Sequence, residues 1–312
     1  MKLTAYILAS DPGKIEGSVL SYYDLVSRIV VSYDENGRGW TGSPAHTEEC
    51  LRRLRSLDRE KKMVFSPGHY ARAEKAPLDN DTFQRQAALN EASEGADWIL
   101  QIDTDEIIAA PDLFAACVTE AARTGYDAVN YPATWLYAHA GGSWYLCWCR
   151  RGWRRMIDYP GPVAVKAGSR LKHCRRISSE HKFFHVDVGR NPSPLAWPDG
   201  VAVSKVIRAS EGIFHFSWIR PQAWLESKIA SWGHHSAGLR DWNVDIERWL
   251  AAHRHPIRTS IQSQFIRDRS LYYWSLAPVR VPARVDALLE ECRPANFPSA
   301  GVAEHASEVG GV

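Results

Sequence analysis

The sequence predicts an α/β fold with a mixed, mostly parallel sheet flanked by helices, and three observations point to it. Apolar runs of strand length alternate with helical patterns through the first 130 residues, the rhythm of stacked βαβ units. Residues 98–102, Trp-Ile-Leu-Gln-Ile, are mostly apolar, as in a strand covered on both faces. That run ends abruptly in Asp103-Thr104-Asp105-Glu106, where an open sheet would present its ligand crevice. A chain of 312 residues, 45% of them hydrophobic, can bury a substantial core, and extensive disorder is not expected. A net charge of +2 does not announce a nucleic-acid binder.

The elements follow in order. Leu3–Ala9 reads as a first strand, and Ser10-Asp11-Pro12-Gly13 turns into a helix running toward Ser21–Leu25. Arg28–Tyr33 is a β-branched second strand that ends at Asp34 and a Gly-rich loop, 36–42. A Leu- and Arg-rich helix (Thr47–Leu57) and a short strand (Met63–Phe65) come next. Asp81, with Gln84 three residues on, reads as the cap of a helix that Gly95 stops. Beyond the acidic turn, Pro111 opens a helix that Gly125 closes, and Asp127–Tyr131 is a fifth strand.

Past residue 131 the pattern changes to short aromatic strands, Gly and Pro interruptions and basic clusters, 150–155 and 170–176. Helices are expected at 221–238, 246–252 and 260–274, and a frayed tail from Pro294. The division this suggests is one domain in two halves (1–135 and 136–235), a helical C-terminal extension (236–293) and a disordered tail (294–312). The six cysteines show no C-x-x-C spacing, so neither a zinc knuckle nor a disulfide framework is indicated. No signal-peptide pattern and no membrane-length apolar run is present, so a cytoplasmic protein is expected.

The chemistry concentrates at Asp103 and Asp105. Crowded carboxylates at a strand end repel one another unless a cation lies between them, and hard oxygen donors favour Mg²⁺ or Mn²⁺. The plainer reading is that the two acids cap the next segment. Alternating Trp135, Trp144, Trp148 and Trp153 suit either sheet packing or stacking on sugar rings.

The helix Gln84-Arg-Gln-Ala-Ala-Leu-Asn90, the run 98–106 and the later Ile213-Phe-His-Phe-Ser-Trp-Ile-Arg220 with Lys228 together resemble a family 2 glycosyltransferase of the GT-A fold. The similarity is greatest to the branch whose motif reads Asp-x-Asp-Glu. It implies a nucleotide-sugar-binding half (1–135) for a nucleotide-diphosphate sugar donor and an acceptor-side half (136–235) for a hydroxyl acceptor (saccharide or small molecule), with a Mn²⁺ or Mg²⁺ ion held by Asp103, Asp105 and His215. For His215 the rival reading is a satisfied core histidine. The resemblance places Asp34 at the base or ribose, Asp103 near the ribose or metal, and Arg85 at a cationic contact. Ser10 lies on the first-strand loop of the donor side, and Arg220 and Lys228 would close on the phosphates. Inversion needs a carboxylate base; Asp187 is the best match, with Asp199 and Glu180 behind it, and a salt bridge to Arg190 is the rival for Asp187. The Gln-x-x-Arg-Trp motif of processive synthases is missing, so transfer of a single sugar is expected. Two alternatives stand beside this: a sugar-phosphate nucleotidyltransferase, for which Ser10-Asp11-Pro12-Gly13-Lys14 is a poor version of the expected loop, and a non-catalytic carbohydrate-binding protein.

Overall fold

Aliphatic and β-branched residues dominate Leu3–Leu8 (β1) and Ile29–Asp34 (β2), and both strands are buried nearly throughout because helices cover both faces of their sheet. The computed structural model describes residues 1–149, 154–155, 157–159, 161–189, 196–233, 246–259 and 275–291. From β1 the chain passes through α1 (Ile15–Tyr22) to β2, then α2 (Thr47–Leu57), β3 (Met63–Gly68), α3 (Pro77–Ala92) and β4 (Trp98–Gln101). β5 (Glu106–Ile108) leaves the acidic turn, and α4 (Pro111–Arg123) leads to β6 (Ala128–Asn130), β7 (Ala133–Ala140) and β8 (Ser143–Cys149). Short strands follow: β9 (Arg154–Arg155), β10 (Ile157–Asp158), β11 (Ala164–Lys166), β12 (Leu171–His173) and β13 (Arg176–Ile177). β14 (Phe183–Asp187), β15 (Val203–Val206) and β16 (Ile213–His215) precede α5 (Gln222–Ser231), α6 (Ile246–Arg254), β17 (Ser275–Val279) and α7 (Ala283–Glu291).

The larger sheet has the order β15-β14-β6-β11-β4-β1-β2-β3. Every neighbouring pair is parallel except those of β11, which runs against both β4 and β6. One face packs on α1, α2 and α4, and the other on α3 and the β12–β13 hairpin. This is the mixed, mostly parallel architecture that the strand–helix alternation predicts. A second sheet, β17-β8-β7-β16-β5, stands beside it. β4 and β5 belong to different sheets, so the four-residue acidic turn between them is the joint of the molecule. Among the described residues no helix is long and apolar enough to cross a membrane.

Several boundaries differ from expectation for identifiable reasons. α3 begins at Pro77, whose fixed φ suits the first helical position, so Asp81 lies inside the helix rather than capping it. Its carboxylate instead meets Arg85 one turn on, at 2.6 Å. β5 escapes a pattern search because it is three residues long and is defined by its antiparallel pairing with β16. The expected helical extension contains a strand: the whole of β17 pairs with Trp144–Trp148 of β8 and so adds an edge to the second sheet. The helix expected at 260–274 and the tail from 294 lie outside the described residues.

Candidate functional site

The acidic turn is built from the inside outward. Glu106, with no solvent exposure, folds back so that its Oε2 accepts the Asp103 amide at 3.0 Å. Arg175 faces it in a two-pronged pair of 2.6 and 2.7 Å and donates to the Gln101 carbonyl at 3.0 Å. Ser18 of α1 donates to the Asp103 carbonyl at 2.8 Å. The turn is thus clamped by buried charge and by a helix, and the side chains of Asp103 and Asp105 project from a fixed backbone.

Those two side chains enter different surroundings. Asp103 accepts Arg85 at 2.8 Å and lies 3.7 Å from Arg175. Burial favours its neutral form, but Arg85 and Arg175 outweigh that and hold its pKa below the usual carboxylate range. Asp105 is almost fully buried, with Lys228 Nζ at 2.5 Å and Arg220 at 3.1 Å from Oδ2, and His215 Nε2 at 3.2 Å from Oδ1. Here too burial opposes the charge, and Lys228 with His215 and Arg220 overcomes it, so the carboxyl stays far below its ordinary value. Asp11, from the loop after β1, closes the cluster: it pairs with Arg220 and lies 3.6 Å from Lys228. Its pKa is lowered as well, burial being outweighed by Arg220 and Lys228. Lys228 also donates to Ser217 Oγ at 3.0 Å.

His215 has a definite proton arrangement. The Trp135 indole N–H donates to Nδ1 at 2.5 Å, and an indole nitrogen can only donate. Burial opposes a charge on this imidazole and Asp105 outweighs it, raising its pKa. With Nδ1 accepting from Trp135, the neutral ring carries its hydrogen on Nε2, directed at Asp105.

The remaining expected site residues divide clearly. Arg85, Asp103, Asp105, His215, Arg220 and Lys228 are brought together, and Ser10 stands on the loop beside Asp11, its carbonyl accepting the His46 amide at 3.2 Å. Asp34 is a backbone staple: its two oxygens accept the amides of Asn36, Arg38, Tyr70 and Ala71 at 2.8–3.3 Å. Four donors fill a carboxylate's lone pairs, so it has none to offer a base or ribose. Asp187 is 2% exposed, and its Oδ1 accepts Tyr159 and the Val188 amide at 3.0 and 2.7 Å. Its Oδ2 lies 3.4 Å from His185 Nε2. Burial is outweighed by these hydrogen bonds, His185's first, and its pKa is lowered, which weakens it as a base. β14 stands three strand positions from β4 in the sheet order, about 14 Å at ordinary strand spacing. Asp199 and Glu180 are exposed on turns. Arg190, the rival partner of Asp187, lies outside the described residues, as do the side chains of Trp148 and Trp153.

Asp11, Arg175 and Ser217 are the residues that sequence reasoning passed over, and Trp135, read there as sheet packing or sugar stacking, is instead a donor to His215. Asp11 reads as part of a turn, and Arg175 is one of several bases in 170–176. Trp135 has the signal of a core aromatic. Only the fold shows that β7 and β16 pair Trp135 with His215.

Mn²⁺ or Mg²⁺ is not accommodated by this donor set as arranged. Among the described residues no group of three His, Cys, Asp or Glu side chains is placed to hold an ion. Both oxygens of Asp105 already face cationic or N–H donors, and His215 presents a hydrogen rather than a lone pair.

No protein-family model matches the chain, and no curated protein matches it. Among solved structures it is similar to 4-diphosphocytidyl-2C-methyl-D-erythritol synthase from Anaerococcus prevotii at 12% identity and a TM-score of 0.32, over 53% of this chain and 71% of that one. It is similar to mannose-6-phosphate isomerase from Helicobacter pylori at 12% identity and a TM-score of 0.29, over 52% of this chain and 60% of that one. The third is mannose-1-phosphate geranyltransferase from Thermus thermophilus, at 11% identity and a TM-score of 0.27, over 54% of this chain and 51% of that one. The chain thus spans less than two thirds of the second and third of these structures.

Proposed function

We propose that this chain is a transferase working at the phosphates of a sugar nucleotide, and that it joins a nucleotide to a sugar phosphate. The observation that carries the reading is the convergence of Arg220 and Lys228 with Asp11 and Asp105 at the carboxyl edge of β1 and β4. Lys228 and Asp11 keep 19% and 18% of their side-chain surface open, so an incoming phosphate can compete for the ammonium. Asp103 is open by 30% beside them. The loop carrying Asp11 leads directly into α1, whose first amides add a favourable field for an anion.

The choice between nucleotidyl and glycosyl transfer rests on the nucleophile. A sugar hydroxyl must lose a proton as it attacks, which calls for a base near the reacting centre. A sugar phosphate has a second pKa of about 6 and attacks already ionised. Of the three carboxylates expected as base, Asp187 is buried, hydrogen-bonded through both oxygens and three strand positions away, and Asp199 and Glu180 sit on exposed turns. In nucleotidyl transfer a phosphate oxygen bonds to the α-phosphorus of a nucleoside triphosphate, and the bond to the β-phosphate oxygen breaks. Pyrophosphate leaves with the negative charge, which Lys228 and Arg220 offset. Glycosyl transfer is the second reading, favoured by the position of Asp103-Thr104-Asp105-Glu106 at the end of β4.

Incubation with each nucleoside triphosphate plus a panel of sugar 1-phosphates tests the first reading through pyrophosphate release. Incubation with UDP-, GDP- and dTDP-sugars tests the second through nucleoside diphosphate release. Pyrophosphate from the first set with none of the second product is the expected result, and the reverse selects glycosyl transfer. Absence of both products, with no nucleotide binding, overturns the proposal.

A further inference from the structure

We infer that the cation this site brings to the phosphates is the ammonium of Lys228, with the Arg220 guanidinium beside it, and that nucleotide binding needs no divalent ion. The inference rests on the transferase reading and concerns how the same cluster holds its ligand. Neighbouring acids at a strand end demand a positive charge between them, and such a charge is present. The acids are Asp11 and Asp105, and Lys228 Nζ stands 3.6 Å from the one and 2.5 Å from the other. Arg220 bridges the same two carboxylates and is 1% exposed. Two acids thus meet two permanent bases, and the cluster is neutral without an ion.

The histidine is arranged against an ion as well. A ligating imidazole ordinarily donates its second N–H to a carbonyl or carboxylate, leaving the other nitrogen's lone pair to the metal. His215 has the reverse polarity: Trp135 donates to Nδ1, and Nε2 is left as the donor to Asp105 Oδ1. Asp105 Oδ1 and Oδ2 are both engaged, and the nearer oxygen of Asp103 holds Arg85. A metal would have to evict Lys228, invert a tautomer and compete with a buried guanidinium. Lys228 has three N–H donors and spends two on Asp105 and Ser217, which leaves one for a phosphate oxygen.

Calorimetry of the intact chain with CDP, UDP, GDP and dTDP, in EDTA and again in excess Mn²⁺ or Mg²⁺, tests this. For whichever nucleotide binds, affinities in EDTA and in metal should agree within about threefold. Electron paramagnetic resonance of Mn²⁺ mixed with the free protein should show only the aqueous ion. Lys228→Met should weaken the nucleotide by about tenfold or more in both buffers, and Lys228→Arg should restore most of it at an unchanged melting temperature. Binding that requires Mn²⁺ or Mg²⁺ overturns the inference and leaves the transferase reading in place. Failure of every nucleotide in both buffers overturns the transferase reading, and this inference with it.

Discussion

Arg175 is 2% exposed and Glu106 is wholly buried, so each guanidinium–carboxylate contact between them lies out of reach of water. Such a pair is worth little against an apolar replacement, yet breaking it from one side is costly because the other charge stays buried. Arg175→Met should therefore lower unfolding free energy by about 3–5 kcal/mol, read from urea denaturation. The double change Arg175→Met with Glu106→Leu should recover part of that loss. Arg175→Lys should not, since one ammonium cannot replace two parallel N–H donors. Acid stability is set by Asp105, with Asp103 and Asp11 in support, all held below the usual carboxylate range. Between the folded and unfolded pKa values the unfolded chain binds more protons, so stability rises with pH there. Their contribution is complete above about pH 4, the ordinary Asp value, and is lost as pH falls through the folded values. Asp105→Asn should flatten the slope of urea midpoint against pH below that point; an unchanged slope contradicts the ion-pair account.

At the level of elements, α5 decides whether the cluster assembles, because it carries Lys228 across from the second sheet. It is held on the loop after β2, where the Trp40 amide donates to the Ser231 carbonyl at 3.2 Å and Thr41 Oγ1 to the Ala230 carbonyl at 2.6 Å. The approach is tight enough to need glycine: a Cβ on Gly39 would stand 2.4 Å from Ser231 Cβ and 2.9 Å from its carbonyl oxygen. Gly39→Ala should push α5 outward, lowering stability by about 1–3 kcal/mol, the ordinary cost of overpacking. Nucleotide affinity should fall as well, as calorimetry would show, and Ser231→Gly in the same chain should regain part of both. This docking was illegible in the sequence. Gly39 stands in a Gly-rich loop that reads as a turn, and residues 39 and 231 share no local pattern. Where periodicity or caps are local, the elements were legible: α2 runs over Thr47–Leu57, and Pro111 and Gly125 bracket α4. β5 and β17 were missed because pairing with distant strands, not their own composition, makes them strands.

The whole molecule turns on the joint between its two sheets. The acidic turn belongs to both, Asp11 comes from the first sheet, and His215, Arg220 and Lys228 come from the second sheet and the helix after it. The run 98–106 announced this position because an apolar strand ending in acids carries its own signal. Arg220 and Lys228, the bases that neutralise Asp105, come from over 100 residues away, and no spacing rule connects them. A ligand seated at the joint must therefore tie both sheets. Saturation to about 100 times Kd should stabilise the fold by about 2.7 kcal/mol, visible as a higher melting temperature. Hydrogen exchange should then slow together in 10–17, 103–106 and 215–231, because each holds part of one charge cluster. The β14–β15 edge of the first sheet, strand positions away from β4, should keep its unliganded exchange rates. Protection confined to 10–17 would place the ligand on the first sheet alone and remove Arg220 and Lys228 from its binding.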